Sequence, residues 1–364
     1  MTAMKRQRGF SLIEIMVGLV IGMIGVAVIM QILETAERQK RTTAAGTDAQ
    51  VNGTIALYTL ERDIRLAGYG LASVNLLNCS INAYNNLRTP DLFSFQAAPV
   101  VINPAGIPAG DAGSDVLQIV YGNSAGVVEA DTLATNSTFP TYGMNNVAAL
   151  TAGEFILLSE TAKQCWLGQI TATASPNIST AANQWNRVGG PGVVYSNVAR
   201  LFNAGRQPRV LIYAVRNGRL TQCDMLASPC TDAAQTANGA VWVEISPGIV
   251  GLTAAYGRDT GAASIAARAT IPDTWDQTAP AADATDNPVN ACAWARIPAV
   301  SVALLARGSQ YEATAVTTAA PQWRVGGGGT FTVAGLPDWQ NYRYKVFQTV
   351  VPVRNILWMD RTGC

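Results

Sequence analysis

The chain has 364 residues, 25 Lys and Arg against 24 Asp and Glu, an apolar share of 49% and no histidine. The absence of histidine excludes Ser-His-Asp and Cys-His nucleophile arrangements and the usual imidazole metal sites. A formal net charge of +1 gives no general basic surface for nucleic acid.

In chain order, Lys5, Arg6 and Arg8 precede Gly9, and an apolar run then extends from Phe10 to Leu33 with Glu14 as its one acidic interruption. As a helix those residues span about 36 Å, enough to cross a hydrocarbon core of about 30 Å. The basic stub holds the N-terminus on the cytoplasmic side. An ordinary secretory signal places its apolar stretch before the cut. Here the one candidate processing point, Gly9-Phe10, precedes the apolar run, so cleavage leaves a chain that begins with its own membrane helix. A carboxylate in such a helix costs about 2.5 kcal/mol or more near the bilayer centre and less toward its edge. Glu14 therefore requires a partner; the plainer account is an N-terminal anchor in which it snorkels to the interface. Gly18, Gly22 and Gly25 permit close helix approach or local unwinding.

Gly9 before the cut, Phe10 as first mature residue and Glu14 as the fifth residue after it resemble a class III signal, the prepilin leader of type IV pilins and type II secretion pseudopilins. The resemblance implies a prepilin peptidase that cuts after Gly9 and methylates the new amino group of Phe10. It also implies that Glu14 meets the terminal amine of a neighbouring subunit and aligns subunits in a filament. Loss of residues 1–9 leaves 22 basic against 24 acidic side chains. The remainder is long enough for one large domain or two small ones.

From Glu34 to Gly68 the chain still reads as helix, free of proline and dotted with charge. Val51, Ile55 and Tyr58 form one apolar stripe, and Leu57, Leu60 and Ile64 a second on the opposite side. A helix apolar on two sides expects two partners: both within its own domain, or its own sheet on one side and neighbouring subunits on the other. Gly68 and Gly70 flank Tyr69 as a stop and turn. Beyond Gly70 the period falls toward two. Val116–Tyr121, Arg209–Val215 and Val300–Leu305 read as strands, and Asn217-Gly218 as a hairpin turn. Tyr342–Val353 reads as a last strand whose Pro352 suits an edge or an end. Residues 257–291 and Gly326–Gly329 read as loops. No later run approaches eighteen uninterrupted apolar residues. The expected class is α+β: a long N-terminal helix, half transmembrane and half amphipathic, packed on a mainly antiparallel β-sheet C-terminal domain. The expected segments are a leader over 1–9, a transmembrane helix over 10–33, its amphipathic continuation over 34–68 and an extracytoplasmic body over 69–364.

The six cysteines, Cys79, Cys165, Cys223, Cys230, Cys292 and Cys364, would tend to oxidise outside the cytoplasm. Cys223 and Cys230 enclose a short loop containing Pro229 and are the first candidate pair; the other pairings stay open. Without histidine or a Cys-x-x-Cys pair, zinc is not expected, and no metal or cofactor is assigned. Asp273, Asp276, Asp283 and Asp286 read as a solvated acidic surface rather than an acid/base or metal site. Gly326–Gly329 lacks the Lys and Ser/Thr of a phosphate loop and reads as a hairpin tip. No catalytic residue, and no enzyme, is expected.

A second resemblance spans both ends of the chain. Leu60-Glu61-Arg62-Asp63-Ile64-Arg65-Leu66-Ala67-Gly68-Tyr69, then Ile249–Leu252 leading to Tyr256-Gly257-Arg258-Asp259, Ala299–Arg307 and Tyr342–Phe347 to Arg354-Asn355 are similar to the PilW family of type IV pilus minor pilins. Relatives often follow the Tyr-Gly-x-Asp stretch with further Asp and Gly, where this chain has Gly261–Ile265, so a calcium loop is not implied. The resemblance implies a structural subunit held in the inner membrane with a periplasmic body, then extracted into an extracellular pilus. It implies incorporation at or near the tip, priming of assembly and help in presenting an adhesin, in pili that serve adhesion or twitching motility. Its implied partners are other minor pilins, the major pilin, the prepilin peptidase, the inner-membrane assembly platform and a tip adhesin. Two alternatives stay open. One is a minor pseudopilin of type II secretion, similar to its J subunit. The other is a tip adhesin or DNA-uptake receptor, with Trp185, Trp275 and Trp323 stacking on bases and Arg187 and Arg324 meeting phosphates; core tryptophans beside surface arginines are the plainer account.

Overall fold

The computed structural model describes residues 9–71, 73, 76–126, 131–260, 271–280 and 292–357. Lys5, Arg6, Arg8, the Gly261–Ile265 stretch, Asp283, Asp286 and Cys364 lie outside them. One helix, α1 (Leu12–Leu66), runs unbroken for 55 residues, about 80 Å. It contains no proline, and Thr35, Thr43, Thr47, Thr54 and Thr59 each return a hydroxyl hydrogen bond to the carbonyl four residues back. Gly53, a poor helix former, has a packing reason: a Cβ there would lie 2.1 Å from the Phe347 ring.

Among the described residues the body is built from five sheets. The largest runs β2 (Leu92–Gln96), β1 (Ser80–Tyr84), β8 (Cys165–Gln169), β7 (Phe155–Ser159), β11 (Arg200–Gly205) and β5 (Asp131–Thr132). All its pairs are antiparallel except β1 with β8. A small sheet of β6 (Thr141–Gly143), β10 (Asn177–Ser179) and β9 (Ala172–Ala174) encloses a satellite core with Leu133, Tyr142, Trp166 and Tyr195. A five-stranded antiparallel sheet follows, ordered β14 (Val243–Pro247), β13 (Arg219–Asp224), β12 (Arg209–Arg216), β4 (Val116–Tyr121) and β3 (Val100–Ile102). Asn217 and Gly218 join β12 to β13 with φ of 52° and 69°, the two left-handed residues of a hairpin turn. Asp111 accepts both of their backbone N–H groups, at 2.9 and 2.8 Å.

The closing sheet is β16 (Thr274–Asp276), β15 (Ile249–Arg258), β17 (Ala299–Arg307) and β20 (Tyr344–Pro352), all antiparallel. Pro352 ends the edge strand β20, where a missing donor is tolerated. On one face Leu252, Val300, Val302 and Leu304 join Ala56, Leu60 and Ile64 of α1 in the main core. On the other, Val250, Ala303, Leu305, Phe331 and Val333 form a small separate core. The expected loop over 257–291 is corrected here: β15 extends to Arg258, and β16 pairs with Tyr256–Arg258. Proline and Asp hide this short strand, whose Trp275 packs so closely on Gly257 that a Cβ would lie 2.8 Å from the indole. Gly326–Gly328 form the tip of a hairpin between β18 (Gln322–Trp323) and β19 (Gly329–Thr330). The arrangement is α+β, one long helix packed on mainly antiparallel sheets.

Candidate functional site

The chain begins its helix with Ser11 as N-cap. Ser11 Oγ accepts the Glu14 backbone N–H at 3.3 Å, and Glu14 Oε2 accepts the Ser11 N–H at 3.3 Å, a reciprocal capping box that satisfies two donors at the helix end. Glu14 also faces the positive end of the helix dipole. A carboxylate offers about four acceptor positions. Among the described residues one hydrogen bond to it is drawn from its own chain, so the group keeps capacity for a donor from outside.

Phe10 is 83% exposed, and every side chain from Leu12 to Leu33 projects from the helix without covering by the body. This stretch is long and apolar enough to cross a membrane. Gly18, Gly22 and Gly25 have no neighbouring atom within 4 Å of where a Cβ would lie, so they leave open notches along it. Farther on, Val51, Ile55 and Tyr58 remain exposed, while Leu60 and Ile64 are buried and Leu57 packs on the core. Of the two stripes, only the second meets the chain's own sheets.

The last turns of α1 are fixed to the body by a buried carboxylate. Asp63 is 0% exposed and accepts from the Tyr213 hydroxyl at 2.5 Å, the Tyr121 hydroxyl at 3.5 Å and Arg62 Nε at 2.9 Å. Tyr213 in turn accepts from Gln222 Nε2 at 2.5 Å. Burial, reinforced by the Asp63 charge, raises both phenols: Tyr121 is pushed up to about 12 and Tyr213 farther. The hydrogen bond and charge of Asp63 raise Arg62. Past the helix, Gly68 at φ 81° donates to Val120, and Gly122 donates to Tyr69, whose hydroxyl reaches Ser124. Asn355, from the far end of the chain, donates to the Leu66 and Ala67 carbonyls at 3.1 and 3.0 Å and so satisfies orphan acceptors at the helix C-terminus. The motif ending the helix and the Arg354-Asn355 pair therefore act on one another in space.

Two disulfides join pairs of described residues in the body. Cys223–Cys230 closes the short loop after β13, and Cys79–Cys165 ties the start of β1 to β8 across a separation of 86 residues. Cys292 is also disulfide-bonded. Among the described residues no group of three or more Cys, Asp or Glu side chains could hold a metal ion. Asp276 instead makes a paired contact with Arg258, Nε to Oδ2 at 2.6 Å and Nη2 to Oδ1 at 3.0 Å, and Asp273 caps Thr260. Trp185 packs edge-on against Phe155 at 5.1 Å, with Arg187 exposed nearby in the chain. Trp275 and Trp323 line a separate cleft on the closing sheet. The three tryptophans thus do not form one stacking surface.

Sequence reasoning assigned no role to Ser11, Asp63 or Asn355, although the last two stand in the motifs that carry the family resemblance. Ser11-x-x-Glu14 carries the capping-box spacing openly. Asp63 and Asn355 carry no local signal, because the sheet tyrosines that meet Asp63 lie 58 and 150 residues away and the carbonyls that Asn355 caps lie 288 or more residues away.

Residues 4–30 match the prokaryotic N-terminal methylation motif, and residues 212–355 match the family model described as type IV pilus-assembly protein W. The second match begins in β12 and ends on Asn355, so it covers the closing sheet and the residue that caps α1. No curated protein and no solved structure matches the chain. One match covers the leader and the start of α1 and the other the closing sheet that packs on the helix, and together they support a type IV pilus minor pilin similar to the PilW family.

Proposed function

We propose that the chain is a structural subunit that primes type IV pilus assembly at or near the filament tip, where it joins other minor pilins and helps present an adhesin. In this reading residues 1–9 are the leader, Gly9 licenses cleavage, Phe10 becomes the N-methylated terminus, and Glu14 accepts the terminal ammonium of a neighbouring subunit. Before extraction the helix over 10–33 lies in the inner membrane with the body over 69–364 on the periplasmic side. The observation that supports it best is Glu14, an exposed carboxylate with spare acceptor positions at the start of an otherwise apolar, uncovered helix. An ammonium is the complement such a group lacks in hydrocarbon, where an unpaired charge is costly. The exposed Val51, Ile55 and Tyr58 stripe supplies the continuation of that packing surface.

The test is mass spectrometry of the N-terminus of the chain from membranes and from sheared pili, in wild type and in Gly9→Val, with immunogold labelling of the filaments. N-methyl-Phe10 in both wild-type fractions, label at filament ends and an intact leader in Gly9→Val are expected. Processed protein confined to membranes points instead to a pseudopilin. Label distributed along the shaft refutes the tip position, and an intact leader in wild-type pili refutes the processing.

A further inference from the structure

The closing sheet has α1 on one face and, on the other, a hollow that its own sequence creates. The outward-facing cross-strand pairs are Thr253 with Ala303 and Ala255 with Ser301, all small, whereas their neighbours Val250 and Leu305 are covered by Phe331 and Val333. Small side chains in the register where covered neighbours are large leave a cleft of about 490 Å³, within the range of about 300–1,000 Å³ usual for small-molecule sites.

Its rim is aromatic and its floor polar. Trp275 enters from β16, packed over Gly257, and Trp323 from β18, edge-on to Phe331 at 4.8 Å. The Trp323 hairpin is pinned to β20 by Gln348 Oε1, which accepts the Arg324 N–H at 2.7 Å. Its tip, Gly326–Gly328, holds φ of 62°, 87° and 68°, and a Cβ at Gly326 would lie 1.8 Å from Ser301 Oγ. Only a glycine lets the hairpin close this far over the cleft. Two hydroxyls in the lining are under-used: Ser301, 4% exposed, makes a single long contact of 3.4 Å to the Ala255 carbonyl, and buried Ser114 Oγ has no partner among the described residues.

The charge pattern selects the ligand. Among the described residues no Lys or Arg lines the cleft, whereas Asp115 and Asp276 do. Asp276 is neutralised by Arg258. Asp115 is fixed by Asn103 Nδ2 at 2.8 Å, Gln277 Nε2 at 2.7 Å and the Ala254 N–H at 3.0 Å, with no cationic side chain among these partners. A phosphate backbone requires a positively charged groove, and this one is neutral to acidic. Indole faces above acceptor-rich carboxylate, amide and hydroxyl groups suit a ligand with one apolar C–H face and many O–H donors. We propose that the cleft is a binding subsite for a neutral pyranose of an oligosaccharide, its ring packed on Trp275 and Trp323 and its hydroxyls donating toward Asp115 and Ser301. The site does not depend on where the subunit sits in a filament.

The experiment is isothermal titration calorimetry on the full chain, held in a detergent without a sugar headgroup, against maltohexaose, cellohexaose, hexa-N-acetylchitohexaose and oligo-dT. Saturable binding of at least one hexasaccharide is expected. It should weaken about tenfold or more in Trp275→Ala and in Trp323→Ala and remain unchanged in Arg324→Ala. Ala255→Leu fills the hollow without removing an aromatic and should abolish binding while the thermal midpoint holds, which separates loss of the site from loss of the fold. No saturable response to any hexasaccharide, binding that survives Ala255→Leu, or preferential binding of oligo-dT overturns the proposal.

Discussion

Asp63→Ala tests how the helix is held to the body. The wild-type carboxylate is fully buried and accepts from two phenols and a guanidinium, with Tyr213 at 2.5 Å and Arg62 Nε at 2.9 Å as the close partners. Hydrogen bonds to charged groups contribute about 1.5–3 kcal/mol each. Removing Asp63 also leaves the buried Tyr213 O–H without an acceptor, a penalty of about 1–3 kcal/mol. The Tyr121 contact is too long to add much. Since Arg62 is half-exposed and rehydrates on loss of its partner, the expected net destabilisation is about 3–5 kcal/mol, as for removal of one member of a buried charged pair. Tyr213→Phe removes one donor from the same network and should cost about 1.5–3 kcal/mol. The double variant should then be less destabilised than the two singles combined, by about 1–3 kcal/mol of coupling. The assay is urea unfolding of the full chain in detergent, followed by near-ultraviolet circular dichroism, which reports tertiary packing rather than the helix. Asp63→Ala within about 0.5 kcal/mol of wild type, or strictly additive singles, refutes the argument that this carboxylate fastens the helix.

Three other perturbations have defined outcomes. Cys79→Ser with Cys165→Ser opens a crosslink spanning 86 residues and should lower unfolding free energy by up to about 4.5 kcal/mol on the chain-entropy model, read as a fall in urea midpoint. Glu14→Ala should leave cleavage after Gly9 largely intact and reduce pilus number counted by electron microscopy; normal pilus number would sink the alignment role of the charge. For alkaline pH, the native state holds phenol protons on Tyr121, Tyr213, Tyr256, Tyr142 and Tyr195 that the unfolded chain releases near pH 10, because burial raises each group. The unfolded state then binds fewer protons, so stability should be level below pH 10 and fall between 10 and 12 by about 1.4 kcal/mol per pH unit for each such tyrosine. Tyrosinate absorbance followed against circular dichroism checks it, since the buried phenols should ionise with unfolding and not before.

Local signals carried much of the fold. The helix follows from unbroken apolar and then amphipathic spacing without proline. Val116–Tyr121 is a strand residue for residue, and the strands read at Arg209–Val215 and Val300–Leu305 extend by one to three residues. What escaped reading depends on distant chain. Asp63 stands between Arg62 and Arg65 like any charge on a helix surface, yet it is buried where Tyr213 and Tyr121 of the five-stranded sheet donate to it. β16 is three residues long and exists because the end of β15 offers it an edge. The exposure of Val51, Ile55 and Tyr58, which sequence left even between two accounts, is decided by which stripe meets β17 and β20. Glu14 drew attention through its membrane cost, and that cost pointed outside the chain while Ser11 sat three residues away.

The closing sheet separates two surfaces that a single β-strand sequence encodes. Along β17, Val300, Val302 and Leu304 face α1, and Ser301, Ala303 and Leu305 face the opposite side. The helix packs on the first face and is fastened further by Tyr213 and Tyr121 of the five-stranded sheet and by the Asn355 cap, whereas the tryptophan-rimmed cleft lies on the second face. A one-residue slip of β17 would exchange the two sets and expose the helix contacts, so the register against β15 and β20 is fixed by burial rather than by a turn. Substitutions confined to Thr253, Ala255 or the Gly326–Gly328 hairpin therefore act on the cleft while leaving the helix seated. Those at Leu60, Asp63 or Val302 loosen the helix. The helix surface that stays uncovered, from Phe10 to Tyr58, is touched by neither set.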